Sequence, residues 1–213
     1  MPFITATHKD LPGLAQCHRA AFPKTLSTAM GQHYVEKMLE WYLVDERGFL
    51  FYLKGEDQLC IGYCGGIKVE VVGKDGSASS MIQHSYAAAV RAMMTRPWLF
   101  FHPEFLKKYR LAIRNIGKRF SKKTSHTQQN AGVLKSIEPH IGLVVIGVDP
   151  KFIGKGYGSK LLIEFEKRAV NFGFKKIALT VKTDNDVAIR SYLKNGWITT
   201  SVTGKATAMH KFI

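Results

Sequence analysis

The stretch that most constrains how this chain can fold runs from His140 to Val181: HIGLVVIGV, DPKFIGKGYG, SKLLIEFEKRAVNFG and FKKIALTV follow one another without a break. The first and last pieces are apolar and β-branched and read as strands, while the third repeats apolar residues at helical spacing. Such a unit places its loop at the carboxyl end of a buried strand and at the amino end of a helix, where backbone N–H groups have no partner. Gly154, Gly156 and Gly158 alternate through that loop. Without side chains there, the backbone can wrap closely around an anion such as a pyrophosphate. Lys151 and Lys155 add positive charge, and Ser159 adds a hydroxyl near the helix start. Tight strand-to-helix turns also use glycine for packing alone, so the loop by itself leaves both readings open. The spacing GxGxG is neither the GxxxxGK[ST] of a Walker loop nor the GxGxxG of a dinucleotide fold.

The remainder is consistent with one core. At 213 residues and 46% hydrophobic content, the chain can bury one core but hardly two, and disorder is excluded. One domain over 1–213 is expected, with a basic helical insertion at about 73–137 and a cofactor-binding core at about 140–200. FITATHKDLPGLAQCHRAAFP reads as a short strand and then a helix carrying Leu14, Cys17, His18 and Phe22 on one side. Residues 25–31 link to a second helix whose Tyr34, Met38, Leu39 and Tyr42 form an apolar face. Two β-rich runs meeting near Gly55 read as a hairpin. In the insertion, GKDGSASS reads as a turn, HSYAAAVRAMM as a helix, PWLFFHP as a break and residues 103–123 as a basic amphipathic helix; residues 121–136 read as a loop. After Val181 come a short helix, DVAIRSYLKNG, and the strands WITTSVT and TAMHKFI.

The formal net charge of +15 favours an anionic partner: coenzyme A, a nucleotide sugar, nucleic acid and an acidic membrane surface would all feel the same field. Three cysteines without a CxxC pair or a histidine cluster at metal spacing read as reduced thiols, with no metal site. No apolar run has the length of a membrane span, and MPFITATHKDLPG lacks the basic start of a signal peptide, so the expected location is cytoplasmic.

Residues 148–162, V-D-P-K-F-I-G-K-G-Y-G-S-K-L-L, resemble the coenzyme A signature V-x-P-x-x-[QR]-x-x-G-x-[GA] of the GNAT superfamily of N-acetyltransferases. The departure is Ile153, where that family has glutamine or arginine. A second block agrees: Asn185, Ala188, Tyr192, Gly196 and Trp197 are similar to the family's N-x-x-A-x-x-x-Y-x-x-x-G-[FW]. The resemblance covers about the last third of the chain. It implies an α/β fold with a central mixed, mostly antiparallel sheet flanked by helices, and a helical insertion between strands 3 and 4. Acetyl-CoA is the implied cofactor, held by Ile146, Gly147 and Val148, by the loop from Ile153 through Gly154, Lys155, Gly156, Tyr157 and Gly158 to Ser159, and by Asn185. The implied reaction is direct attack of a primary amine in a ternary complex, with a strand amide polarising the thioester carbonyl and Tyr192 as the acid at the departing thiolate. Tyr192 also suits simple packing, and Asn185 also suits a helix cap. Where many relatives carry a glutamate base this chain has Gly142, so His140, two residues upstream on the same strand face, is the candidate base, ahead of Glu138 and Asp184.

The cofactor motifs say nothing about the acceptor. F-P followed by a glycine at 22–31 is similar to acetyltransferases of bacterial surface-polysaccharide pathways, which points to an amino-sugar nucleotide. The alternatives are a peptide or protein amine, and a non-catalytic nucleic-acid or membrane-binding module on the same fold. The basic helix at 103–123 would bind a phosphate-rich acceptor, rest peripherally on acidic lipid, or pack its apolar stripe with a solvated cationic face. No dedicated nucleic-acid partner is expected, and the sequence leaves the oligomeric state open.

Overall fold

In a computed structural model, residues 1–57, 59–70, 77–106 and 138–213 are described. They build one seven-stranded sheet in the order β1-β2-β3-β4-β5-β7-β6. The strands are β1 (Phe3–Thr5), β2 (Gly48–Lys54), β3 (Cys60–Val69), β4 (His140–Val148), β5 (Lys176–Lys182), β6 (Ile198–Val202) and β7 (Ala206–Phe212). Every neighbouring pair is antiparallel except β4 with β5. The helices are α1 (Leu11–Ala21), α2 (Leu26–Ala29), α3 (Gln32–Val44), α4 (Ser77–His84), α5 (Tyr86–Thr95), α6 (Tyr157–Asn171) and α7 (Asp186–Lys194). The expected mixed, mostly antiparallel sheet is therefore present, and the insertion falls between β3 and β4.

Three local readings change. A four-residue helix, α2, occupies part of the segment read as a link: the Thr25 side chain caps it by accepting from the Thr28 N–H. GKDGSASS is not all turn, because α4 begins at Ser77. PWLFFHP, read as a break, is a 3-10 turn over Pro97–Phe101 held by buried Leu99. Of the basic helix expected at 103–123, a helical turn at 103–106 is described; the rest of it and most of the 121–136 loop lie outside the described residues.

The sheet buries both of its faces over β2 and β3, so FLFYL is apolar throughout instead of alternating. On one face Phe49, Phe51, Cys64, Ile141 and Leu143 pack under α6, whose Leu161, Leu162, Phe165 and Ala169 make the covering stripe. On the other, Leu50, Tyr52, Tyr63 and Ile67 meet Leu14, Val35, Leu39 and Trp41 of α1 and α3. Close contact depends on Gly66, where a β-carbon would overlap the rings of Phe49 and Phe165.

The second core encloses a polar group. His18 is 5% exposed. Its Nδ1 lies 2.5 Å from the Tyr63 hydroxyl and its Nε2 3.2 Å from the Ser27 hydroxyl, so a neutral ring, with one donor and one acceptor nitrogen, satisfies both contacts. Burial lowers its pKa from 6.5 to about 4. The unfolded chain takes up the proton near 6.5 and the folded chain only near 4, so the stabilisation from keeping this ring neutral is complete above 6.5 and is lost as pH falls toward 4. Urea unfolding should therefore show a loss of up to roughly 3 kcal/mol across that interval. His18→Gln should flatten that part of the profile, and an equally steep acid loss in the variant would move the cause to other groups.

Candidate active site

The decisive geometry is the parting of β4 and β5. They pair only over Ile141↔Ile177, Gly142↔Ala178 and Leu143↔Leu179, although β4 continues to Val148 and β5 to Lys182. At the same point β4 slips against β3: Gly66 faces Leu143 and Gly65 faces Val145, leaving Val144 as an extra residue. A bulge bends and twists its strand locally. Here it coincides with the divergence, so β4 stays on β3 up to Val148 while β5 swings away. The result is a V-shaped opening in which backbone groups of Val144 to Val148 on the β5 side have no strand partner among the described residues.

The glycine loop stands at the wide end of this opening. Pro150–Phe152 form a 3-10 turn, with the Asp149 carboxylate accepting from the Lys151 N–H at 2.9 Å. Gly154 and Gly156 follow with φ of +82° and +78°, and Gly156 is the N-cap of α6. L-residues other than glycine are strained there. A β-carbon at residue 154, 156 or 158 would meet nothing within 4 Å, so the loop presents bare backbone to open space. The first-turn N–H groups of Tyr157, Gly158 and Ser159 have no intrahelical acceptor. Lys155 and Lys160 rest their ammonium groups on the Phe152 and Tyr157 rings at 5.4 and 5.2 Å, close to the loop. Ile153 is 67% exposed and supplies no polar group. An anion of pyrophosphate size fits this cradle through amides, helix dipole and lysines.

Residues from the second sequence block meet on the far side. Asn185 caps α7, its Oδ1 accepting from the Ala188 N–H at 3.2 Å, which leaves the side-chain NH2 as a donor. Asn195, at the end of α7, donates to Ser159 Oγ at 3.1 Å and so ties α7 to the first turn of α6. Tyr192 is 8% exposed, with its ring 5.8 Å from that of Trp197. Burial, reinforced by the nearby Cys64 thiol, raises the Tyr192 pKa to about 12. Cys64 faces Ile146 in the β3–β4 register, which places Tyr192 beside the parted segment of β4. The Trp197 indole N–H is buried without an acceptor among the described residues.

Residues 125–197 match the model of the acetyltransferase (GNAT) family. The match places a GNAT acetyltransferase domain at those residues. Solved structures agree in fold. PaiA N-acetyltransferase from Thermoplasma acidophilum in complex with coenzyme A shares 14% identity, with a TM-score of 0.53 and all of both chains covered. The ribosomal-protein-S18-alanine N-acetyltransferase from Escherichia coli shares 16%, with a TM-score of 0.54 over 100% of this chain and 93% of that one. The aminoglycoside antibiotic 6'-N-acetyltransferase from Acinetobacter haemolyticus shares 11%, with a TM-score of 0.55 over 95% and 94%.

The Thermoplasma PaiA structure holds coenzyme A. The chain's own features fit it: an open strand edge for an extended pantetheine arm and a bare-backbone cradle for its pyrophosphate. At the narrow end of the opening lies a groove of about 750 Å³, on the sheet face that α1 and α3 leave uncovered. His140, Gly142, Lys176, Thr180, Thr200 and His210 are among its lining residues. His140 Nδ1 is 2.9 Å from the Glu138 carbonyl oxygen, and Lys176 pairs with the Glu138 carboxylate at 2.8 Å. Of the weaker candidate bases, Glu138 is thus engaged, and Asp184 is exposed beside the Asn185 cap.

Two groups escaped the sequence reading. His210 shares the groove, its Nδ1 2.7 Å from the Thr200 hydroxyl; alternation along TAMHKFI was the signal that could have placed it. Glu104 accepts from the Leu26 N–H at 2.9 Å and lies 3.5 Å from Lys182 at the end of β5. Burial alone would raise the Glu104 pKa, but the Leu26 amide and Lys182 outweigh it and hold the carboxylate below its usual range. It therefore links α2 to the diverging strand, a contact across 78 residues that no local pattern announces.

Gly156→Glu would put a carboxylate and a strained φ in the cradle. Calorimetry should show coenzyme A affinity reduced by at least about a hundredfold, with the circular dichroism spectrum unchanged. Undiminished affinity in a folded variant would move the pyrophosphate site elsewhere.

Proposed function

We propose that the whole chain acts as one acetyltransferase domain that acetylates the primary amine of a small polar acceptor, an amino sugar or its nucleotide, seated in the groove below the β4–β5 opening. The observation that carries this reading is the junction of that groove with the parted strands, so that an acceptor and a cofactor arm can approach the same stretch of β4. Hydroxyl and imidazole groups of Thr180, Thr200, His140 and His210 suit a polyhydroxylated ring. Lys176 and the basic insertion suit an attached diphosphate.

Acetyl-CoA, when bound, supplies an activated acetyl thioester that a deprotonated amine takes directly, without a covalent enzyme intermediate. The protein's residues have five tasks. Ile146, Gly147 and Val148 offer backbone groups to the pantetheine arm, and a strand amide there stabilises charge on the carbonyl oxygen. The loop from Ile153 to Ser159 holds the phosphates, and Asn185 offers its free NH2 to the arm. The Tyr192 hydroxyl donates a hydrogen bond toward the sulfur. With a pKa of about 12 against about 8.5 for a thiol, full proton transfer from this phenol would run uphill by roughly 5 kcal/mol, so it retains its proton and acts as a donor. His140 takes the proton from the amine: with Nδ1–H donating to the Glu138 carbonyl, the lone pair is on Nε2.

Acetyl-transfer rates over a panel of amino sugars, their nucleotides and peptide amines test the acceptor class; a preference for peptides would overturn it. Tyr192→Phe should lower kcat at least about tenfold while changing coenzyme A affinity little, and full turnover would remove Tyr192 from the chemistry. His140→Gln should lower kcat at least about tenfold while changing coenzyme A affinity little. Full turnover in that variant would assign the base elsewhere, with His210→Gln as the next variant.

A further inference from the structure

The insertion between β3 and β4 carries an exposed apolar edge that acetyl transfer does not use. Ser85, Ala88 and Ala92 are the buried side of α4–α5, packed toward α3, and Leu99 anchors the following 3-10 turn. The opposite side is apolar too. Ile82, Tyr86, Val90 and Met94 follow one another at four-residue steps, and Trp98 and Phe101 at the three-residue step that aligns side chains in a 3-10 turn. Met94, Trp98 and Phe101 are 80%, 63% and 78% exposed. Of the three tryptophans, Trp41 and Trp197 are at most 2% exposed, so Trp98 is the only one at the surface.

Charge is concentrated on the same insertion. Between residues 73 and 137 there are twelve lysines and arginines against two acids, Asp75 and Glu104, which accounts for ten of the chain's fifteen net positive charges. Eight of the twelve fall between Lys107 and Lys123, directly after the apolar turn. Among the described residues no helix is long and apolar enough to cross a membrane.

We propose that the α4–α5 edge and the Pro97–Phe101 turn dock this protein peripherally on a membrane surface rich in acidic lipid. Two weak signals acting together make a stable peripheral anchor: apolar side chains entering the acyl boundary, and a polybasic segment attracted to anionic headgroups. Tryptophan at the rim of an apolar patch is suited to the headgroup level, where its ring is buried and its N–H stays wet. A nucleic acid would use the charge but gains little from the aliphatic Ile82, Val90 and Met94. A second copy would bring like charges against each other across the same patch. The proposal does not rest on the acceptor reading above.

The experiment uses the full chain with vesicles of phosphatidylcholine alone and with about 30% phosphatidylglycerol. Cosedimentation with the acidic vesicles is expected, with a blue shift of Trp98 emission and its quenching by brominated acyl chains. Trp98→Ser combined with Phe101→Ser should weaken partition at least about tenfold at unchanged coenzyme A affinity, while Trp98→Phe keeps most of it. Three outcomes would overturn the proposal. One is no partition. Another is partition that leaves Trp98 emission unchanged, survives the double variant and is competed away by duplex DNA, which is polyanion adsorption only. The third is light scattering that shows a dimer shielding Trp98, which makes the patch a self-interface.

Discussion

The parting of two parallel strands after three paired residues is the constraint from which the rest of the site follows. A parallel pair normally continues as far as both strands run, because each further residue adds backbone hydrogen bonds. Here β4 keeps its partner on one edge and loses it on the other. Unpaired groups at that edge are costly if buried dry, so the opening is favourable only when water or an extended ligand occupies it. An extended pantetheine arm, with amide donors and acceptors along its length, is the complementary shape.

Holding the strands apart requires bracing on both sides. On the α6 face, Phe165 and its neighbours clamp β3 and β4, and each fully buried large apolar side chain contributes on the order of 2 kcal/mol. On the α1 face, Gly147 is covered by Phe22 and Tyr63, so the β4 strand is supported up to the start of the loop. Beyond β5, Lys211 joins the Glu166 carboxylate at 2.9 Å and the Asn195 carbonyl, fastening β7, α6 and the end of α7 together. Glu104 ties α2 to Lys182 at the end of β5. The glycine loop and the groove, proposed to hold cofactor and acceptor, thus share one frame, and the groove lining includes the small residues Gly142, Ala178 and Ala208.

Burial sorts the titratable groups into roles. His18 and Tyr63 are deep in the second core, where a charge would be expensive, and they satisfy each other as neutral partners. Tyr192 is also buried, yet beside the opening, so the same desolvation that strengthens its hold on the proton makes it a persistent donor. His140 is partly exposed at the groove and anchored through one nitrogen only, which suits a group that must exchange protons.

The local unit from His140 to Val181 and the second block around Tyr192 were legible in the sequence because strand alternation, helical spacing and glycine at positive φ are properties of consecutive residues. They carried the resemblance to the GNAT family and pointed to the residues proposed to hold its cofactor, and the two expected helices before a hairpin appear where the apolar pattern put them. What the sequence could not show depends on register and on contacts between distant segments. Nothing in LVVIGV says that Val144 is a bulge or that pairing with β5 ends at Leu143, since that follows from how β3, α1 and α6 hold β4. His210 enters the groove only because β7 inserts between β5 and β6, and Glu104 reaches Leu26 only because α5 and its 3-10 turn pack over α2. Periodicity dictates which face a residue takes; only the packed tertiary structure decides what that face meets, because those energies arise between surfaces that the chain order does not make neighbours.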